Sequence, residues 1–166
     1  MLCLTRGGLI KLRAINTSHE VPMVSTDLPP RKWGSLKYRG KKKDDICVDH
    51  VQDDVLYWSE QANFPEIEGF AIFSGNTVCM FQSTVSEERE LNVSRIDHVL
   101  KAINNFRNDI TRVQIWYLVP PRVFSTFSVS MPAADEELPS EIAFGDTDIP
   151  LDFVVGSLPD LDEKDH

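Results

Sequence analysis

The spacing of apolar and polar side chains divides the chain into a series of expected elements. Residues 9–15 (Leu9-Ile10-Lys11-Leu12-Arg13-Ala14-Ile15) alternate imperfectly and read as a weak strand, with Asp27-Leu28-Pro29-Pro30 as the break after it. Residues 31–45 have no apolar period and read as loop. Residues 51–58 fit a short helix or a strand, and the aromatic and β-branched cluster Val55-Leu56-Tyr57-Trp58 favours the strand. Asn63-Phe64-Pro65 is a further break. Residues 67–73 then read as a strand, Ser74-Gly75-Asn76 as a tight turn whose Gly and Asn accept positive φ, and residues 77–85 as the returning strand of a hairpin. Ile96, Val99, Leu100, Ile103 and Phe106 recur at helical spacing and form one apolar stripe, with Asn92 or Ser94 as the cap. Residues 112–119 (Arg112-Val113-Gln114-Ile115-Trp116-Tyr117-Leu118-Val119) are nearly continuous in apolar and aromatic side chains, the pattern of a central strand covered on both faces. Pro120-Pro121 ends that strand, residues 123–127 read as one helical turn, and residues 148–155 add an edge strand.

The order strand, hairpin, helix, strand predicts an α/β (α+β) fold, a mixed sheet with a hairpin–helix–strand core in which the helix returns the chain as a right-handed crossover. The expected divisions are an N-terminal arm over residues 1–45, a core over 46–130 and an acidic tail over 131–166. The length of 166 residues suits one domain with tails. No apolar run reaches the ~18 residues of a membrane helix, and the first eight residues are too short and too soon charged for a signal-peptide core. Cys3, Cys47 and Cys79 are far apart and odd in number, which fits reduced thiols in an intracellular protein rather than a disulfide framework or a CxxC metal knuckle. Neither GxxxxGK[ST] nor GxGxxG occurs, and no repeat is visible.

Charge changes the picture. The chain carries 17 Lys and Arg against 26 Asp and Glu, a net charge of −9, but the signs are segregated. Arg31, Lys32, Lys37, Arg39, Lys41, Lys42 and Lys43 fall in thirteen residues without one acid. Trp33 and Tyr38 are interleaved with them, which suits stacking plus charge on a single-stranded nucleic acid. The same run also reads as a solvated loop or a nuclear-localisation-like patch. Residues 133–166 hold eleven acids and one base. They read as a solvating tail, as a mask over the basic run, or as a dock for a basic protein partner.

One constellation carries a resemblance. Val55-Leu56-Tyr57-Trp58, then Asn63-Phe64-Pro65-Glu66-Ile67-Glu68-Gly69-Phe70, Met80-Phe81-Gln82-Ser83-Thr84-Val85 and Ile115-Trp116-Tyr117-Leu118-Val119-Pro120 follow one another in this order. The stretch over residues 50–127 resembles the C-terminal region shared by the retrotransposon hot spot proteins of trypanosomes and the Crinkler effectors of oomycetes and fungi. That resemblance implies a restriction-endonuclease-like fold, with an acid at the start of one hairpin strand and (D/E)xK at the end of the next. Glu68 stands at the first position and Gln82-Ser83-Thr84 at the second. It also implies Mg²⁺-assisted phosphodiester hydrolysis in the nucleus (a host nucleus for an effector), with Glu68 and Gln82 as ligands and Glu68, Gln82 and Thr84 as the catalytic set. The departures point to a degenerate site. Gln82 is neutral and Thr84 has no positive charge to stabilise the developing anion. Glu87 or Glu88 as a second carboxylate, and Lys101 or His98 in place of the lysine, are the rescues open to it. The bland alternatives are a solvated Glu68, a Gln82 and Thr84 that satisfy sheet-edge hydrogen bonds, and a surface His98. Neither the N-terminal translocation module of Crinkler proteins nor the P-loop ATPase module of hot spot proteins is recognisable in these 166 residues, so the chain reads as a terminal module or truncated product. The expected function is a nuclease-fold module acting in nucleic-acid or protein binding; an active metal-dependent nuclease and an acidic interaction module are the alternatives.

Overall fold

The long apolar runs become strands. The computed structural model describes residues 11–15, 32–38, 46–59, 67–73 and 76–158. In chain order the first strands are β1 (Lys11–Ala14), β2 (Lys32–Tyr38), β3 (Ile46–Val48), β4 (Val55–Ser59), β5 (Gly69–Phe73), β6 (Thr77–Ser83) and β7 (Glu88–Glu90). Helix α1 (Val93–Asn104), β8 (Arg112–Val119), the short helix α2 (Pro121–Phe124), β9 (Ser128–Ser130), β10 (Glu141–Phe144) and β11 (Thr147–Ser157) follow. Nine strands form one mixed sheet in the order β1-β11-β8-β6-β5-β4-β2-β3, with β10 also on β11; β7 and β9 form a separate parallel pair. The chain is thus a strand-rich α+β protein.

At its centre β6, β8 and β11 run parallel. β8 is in register with β6 from Thr77↔Arg112 to Ser83↔Leu118, and with β11 from Leu151↔Val113 to Ser157↔Val119. Such a strand is covered on both faces, and Val113 to Val119 are all buried. Alternation divides the sheet into two apolar layers. Tyr57, Phe70, Ile72, Val78, Met80, Ile115 and Tyr117 pack with Ile96, Val99, Leu100 and Ile103 of α1. Ala71, Phe73, Cys79, Phe81, Trp116, Leu118 and Val154 form the layer on the other face. Aromatic pairs bind neighbouring strands across the register: Tyr57 stacks on Phe70 at 4.8 Å, and Phe81 meets Trp116 edge-on at 5.8 Å.

Several expectations change. The hairpin, α1 and β8 lie where the apolar pattern puts them, and Asn76 has the positive φ of a turn residue, 57°. Ser74 and Gly75 lie outside the described residues. Phe106 is 48% exposed because α1 ends at Asn104, before the stripe reaches it. Asn92 is the N-cap residue but makes no side-chain capping bond; Ser94 Oγ donates to its Oδ1 instead, at 2.7 Å. The basic segment is not all loop. Residues 32–38 form β2, parallel to β4 and antiparallel to β3. The segment 131–166 is not simply a solvated acidic tail. It supplies β10 and β11, and β11 is an inner strand between β8 and β1 rather than an edge.

Burying β11 requires Asp152 to be neutralised. Its side chain is 1% exposed, and Arg112 Nη1 donates to Oδ2 at 2.6 Å. Cys79, Gln114 and Asp152 fall in one row across β6, β8 and β11. Gln114 Oε1 there accepts from Trp116 Nε1 at 3.0 Å.

Gly69 marks the closest approach of β4 and β5. A Cβ at this position would lie 2.5 Å from the Tyr57 carbonyl oxygen and 2.6 Å from Trp58 Cε3. The carbonyl belongs to the paired backbone and cannot swing aside. Gly69→Ala is expected to lower the unfolding free energy by about 2 kcal/mol. Urea unfolding should show a lower midpoint at unchanged slope.

Candidate functional site

The parallel strands β6, β8 and β11 all end on one margin of the sheet, at Ser83, Val119 and Ser157. Carboxyl ends of parallel strands are where open α/β sheets place ligands. The registers bring other strands to this margin too. Ser59, the last residue of β4, donates its N–H to the Glu68 carbonyl at 3.1 Å and pairs with Leu36 of β2. The chain leaves β2 at Tyr38 and enters β3 at Ile46, which pair with each other just beyond that row.

Glu68 lies immediately before β5 and is half-buried. Its N–H donates to the Phe81 carbonyl at 2.8 Å, although Phe81 is already the register partner of Gly69. Two residues of one strand against one of the next is the arrangement of a β-bulge. The offset brings the Glu68 carboxylate to Ser83, whose Oγ lies 2.6 Å from Oε1 and 2.8 Å from Oε2. Gln82 points to the opposite face from Ser83 by alternation and is buried at 8% exposure. The expected Glu68–Gln82 ligand pair is therefore replaced by a Glu68–Ser83 contact.

Thr84 continues the β6–β8 ladder, donating its N–H to the Leu118 carbonyl at 3.0 Å. Its hydroxyl oxygen accepts from the Ser86 N–H at 3.1 Å and from Arg89 Nε at 3.0 Å. Thr84 is buried, so these bonds satisfy a group that would otherwise lose its water. Ser83, Thr84, Val85, Ser86, Arg89, Leu118, Pro120 and Leu158 line a cleft of about 340 Å³ here. Sequence spacing singles out neither Ser83 nor Arg89. Ser83 reads only as the spacer of Gln82-x-Thr84, and Arg89 as one base among acids.

Among the described residues no hydrogen bond or ion pair joins the rescues to Glu68. Glu87 and Glu88 are exposed. Lys101 pairs with Asp97 at 2.6 Å and lines a different cleft, beside Phe144 and Gly145. His98 Nδ1 is buried without a hydrogen-bond partner. Among the described residues no three His, Cys, Asp or Glu side chains converge. Mg²⁺ demands near-octahedral oxygen ligation at ~2.0–2.1 Å. One carboxylate engaged by a serine hydroxyl, with Gln82 turned away, does not fit that demand. Of the basic run, Lys32 and Lys37 lie in β2; Arg31, Arg39, Lys41, Lys42 and Lys43 lie outside the described residues.

Two other clusters are structural. Arg107 donates to Asp53 at 2.8 Å and to Asp109 at 2.7 and 2.9 Å, and this holds the Asp109 carboxyl below the usual carboxylate range. Cys79 is fully buried, and burial pushes its thiol well above the usual range, so it is no nucleophile. No protein-family model, curated protein or solved structure matches the chain. Iodoacetamide is expected to leave Cys79 unmodified in the native protein and to alkylate it in urea. Peptide mass spectrometry of the two samples checks this.

Proposed function

We propose that this chain is a restriction-endonuclease-like module of the Crinkler and hot-spot type that binds polynucleotide without cutting it. The layout supports the fold assignment: the antiparallel strands β4, β5 and β6, a crossover through α1, and β8 parallel beside β6. The donor chemistry supports loss of catalysis. Glu68 is joined by a serine instead of a second carboxylate, and Thr84 stands where a lysine would be.

The observation that carries binding is the run of seven bases without an acid over residues 31–43. Lys32 and Lys37 of that run lie in β2, which ends at Tyr38 on the margin that holds Glu68 and Ser83. Leu36 lies two strands from Glu68, about 10 Å at ordinary strand spacing. The net charge of −9 works against binding anywhere else on the chain. In the acidic segment Asp152 is buried and paired with Arg112, while Glu141 and Asp148 stay exposed on β10 and β11, so a basic protein partner there stays the alternative.

The test is fluorescence anisotropy with a labelled single-stranded oligonucleotide across a salt series, alongside cleavage assays in Mg²⁺ and Mn²⁺. Wild-type protein is expected to bind and not to cut. Changing Lys41, Lys42 and Lys43 together to Gln should reduce the slope of log affinity against log salt by about 2, since each phosphate contact on a single strand contributes ~0.7. Metal-dependent cutting abolished by Glu68→Ala would establish an active nuclease instead. Absence of binding even at low salt would sink the proposal.

A further inference from the structure

The cleft at the ends of β6 and β8 holds a positively charged group with most of its donors unspent. Arg89 is the middle residue of β7, with Glu88 and Glu90 turned to the other face by alternation. Its Nε is fixed by the buried Thr84 hydroxyl at 3.0 Å. Among the described residues the Arg89 side chain makes no other hydrogen bond and no ion pair. The guanidinium is therefore held in place through one nitrogen while both Nη groups stay free. That differs from Arg107, Arg112 and Arg13, whose Nη groups bind Asp53, Asp152 and the carbonyls of Phe124 and Phe127.

The surroundings favour one ligand chemistry. Ser86 adds a hydroxyl to the same cleft, the Ser83 hydroxyl being engaged by Glu68, while Val85, Leu118, Pro120 and Leu158 add apolar wall. Val85 is 70% exposed, an apolar side chain left in solvent at the cleft mouth. An anchored guanidinium with the Ser86 hydroxyl beside it suits a tetrahedral oxyanion, and apolar wall suits the organic group attached to it. A volume of about 340 Å³ is at the small end of ligand clefts, which run to ~1,000 Å³.

We infer that Arg89, oriented by Thr84, is a phosphate-binding residue, and that the cleft takes one phosphate group with its attached sugar or base. On the proposed function, on which this inference partly rests, that phosphate is one link of a bound polynucleotide. A free or terminal phosphate carries the same chemistry. Thr84 then has a positive role. It lacks a charge of its own, but its hydroxyl sets the direction of a charge supplied five residues later. Thr84 is a positioning residue and Arg89 the contacting one.

The experiment follows the Arg Nε–H signals of the full ¹⁵N-labelled chain by NMR, assigned through Arg89→Gln. Inorganic phosphate is the first titrant and a single-stranded oligonucleotide the second. The expected result is a saturable shift of the Arg89 signal with both. Arg89→Gln should weaken oligonucleotide binding about tenfold and reduce the salt slope by about 0.7, whereas Thr84→Val should weaken binding less and broaden the Arg89 signal. A shift with phosphate but no oligonucleotide binding would uphold the Arg89 site and overturn the proposed function. Oligonucleotide binding that leaves the Arg89 signal unmoved, with phosphate also without effect, would overturn this inference and spare the proposed function. No response to either titrant would overturn both.

Discussion

The structure depends on covering β8 on both faces. β8 has a parallel neighbour on each side, so neither of its faces can be left to water. Parallel neighbours also cannot be joined by tight turns. The link from β6 to β8 must leave the sheet, and α1 uses that excursion to cover one layer with Ile96, Val99, Leu100 and Ile103. The link from β8 to β11 makes a second excursion, through α2, β9 and β10. Both detours start at the same margin, because both start where a parallel strand ends. The cleft is therefore a by-product of the central pairing: the chain turns away there, and side chains at the turning points are left facing a gap.

One extra residue then decides which chemistry faces that gap. Without the bulge at Glu68 and Gly69, the carboxylate would sit on the Gln82 side of the sheet. With it, the carboxylate meets Ser83. The same place needs a glycine, since β4 and β5 approach too closely for a Cβ. Close approach, bulge and reversal of side-chain direction are thus one local event. It converts a pair resembling metal ligands into a carboxylate–hydroxyl contact.

The parts of this fold legible in the sequence are those whose stabilisation is local or continuous. The apolar run of residues 112–119 and the helical stripe from Ile96 to Ile103 declare themselves because every turn or pair repeats the signal. β2 does not. Lys32-Trp33-Gly34-Ser35-Leu36-Lys37-Tyr38 has no period of two, and it becomes a strand because β4 offers a partner edge. β11 is hidden by its acids. Asp152 reads as a solvent-facing position until Arg112, forty residues earlier, is placed beside it. The site is legible only as a neighbourhood. Glu68 and Thr84 do lie at the same margin, but a bulge leaves no mark in composition or spacing, so Ser83 could not be told from a spacer. Arg89 could not be separated from the acids around it without the Thr84 bond.

Among the described residues, β1 has one sheet partner, and that partner is β11, nearly the whole chain away. The register from Lys11↔Ser157 to Ala14↔Val154, with Arg13 reaching the Phe124 and Phe127 carbonyls, seals the side of the sheet with its earliest described segment. Among the described strands, synthesis from the N-terminus makes β1 first and its partner β11 last. Leu12 and Ala14 have no sheet partner among the described residues until β11 has been made. The order of synthesis therefore runs opposite to the order of closure: the first described strand waits for the last one.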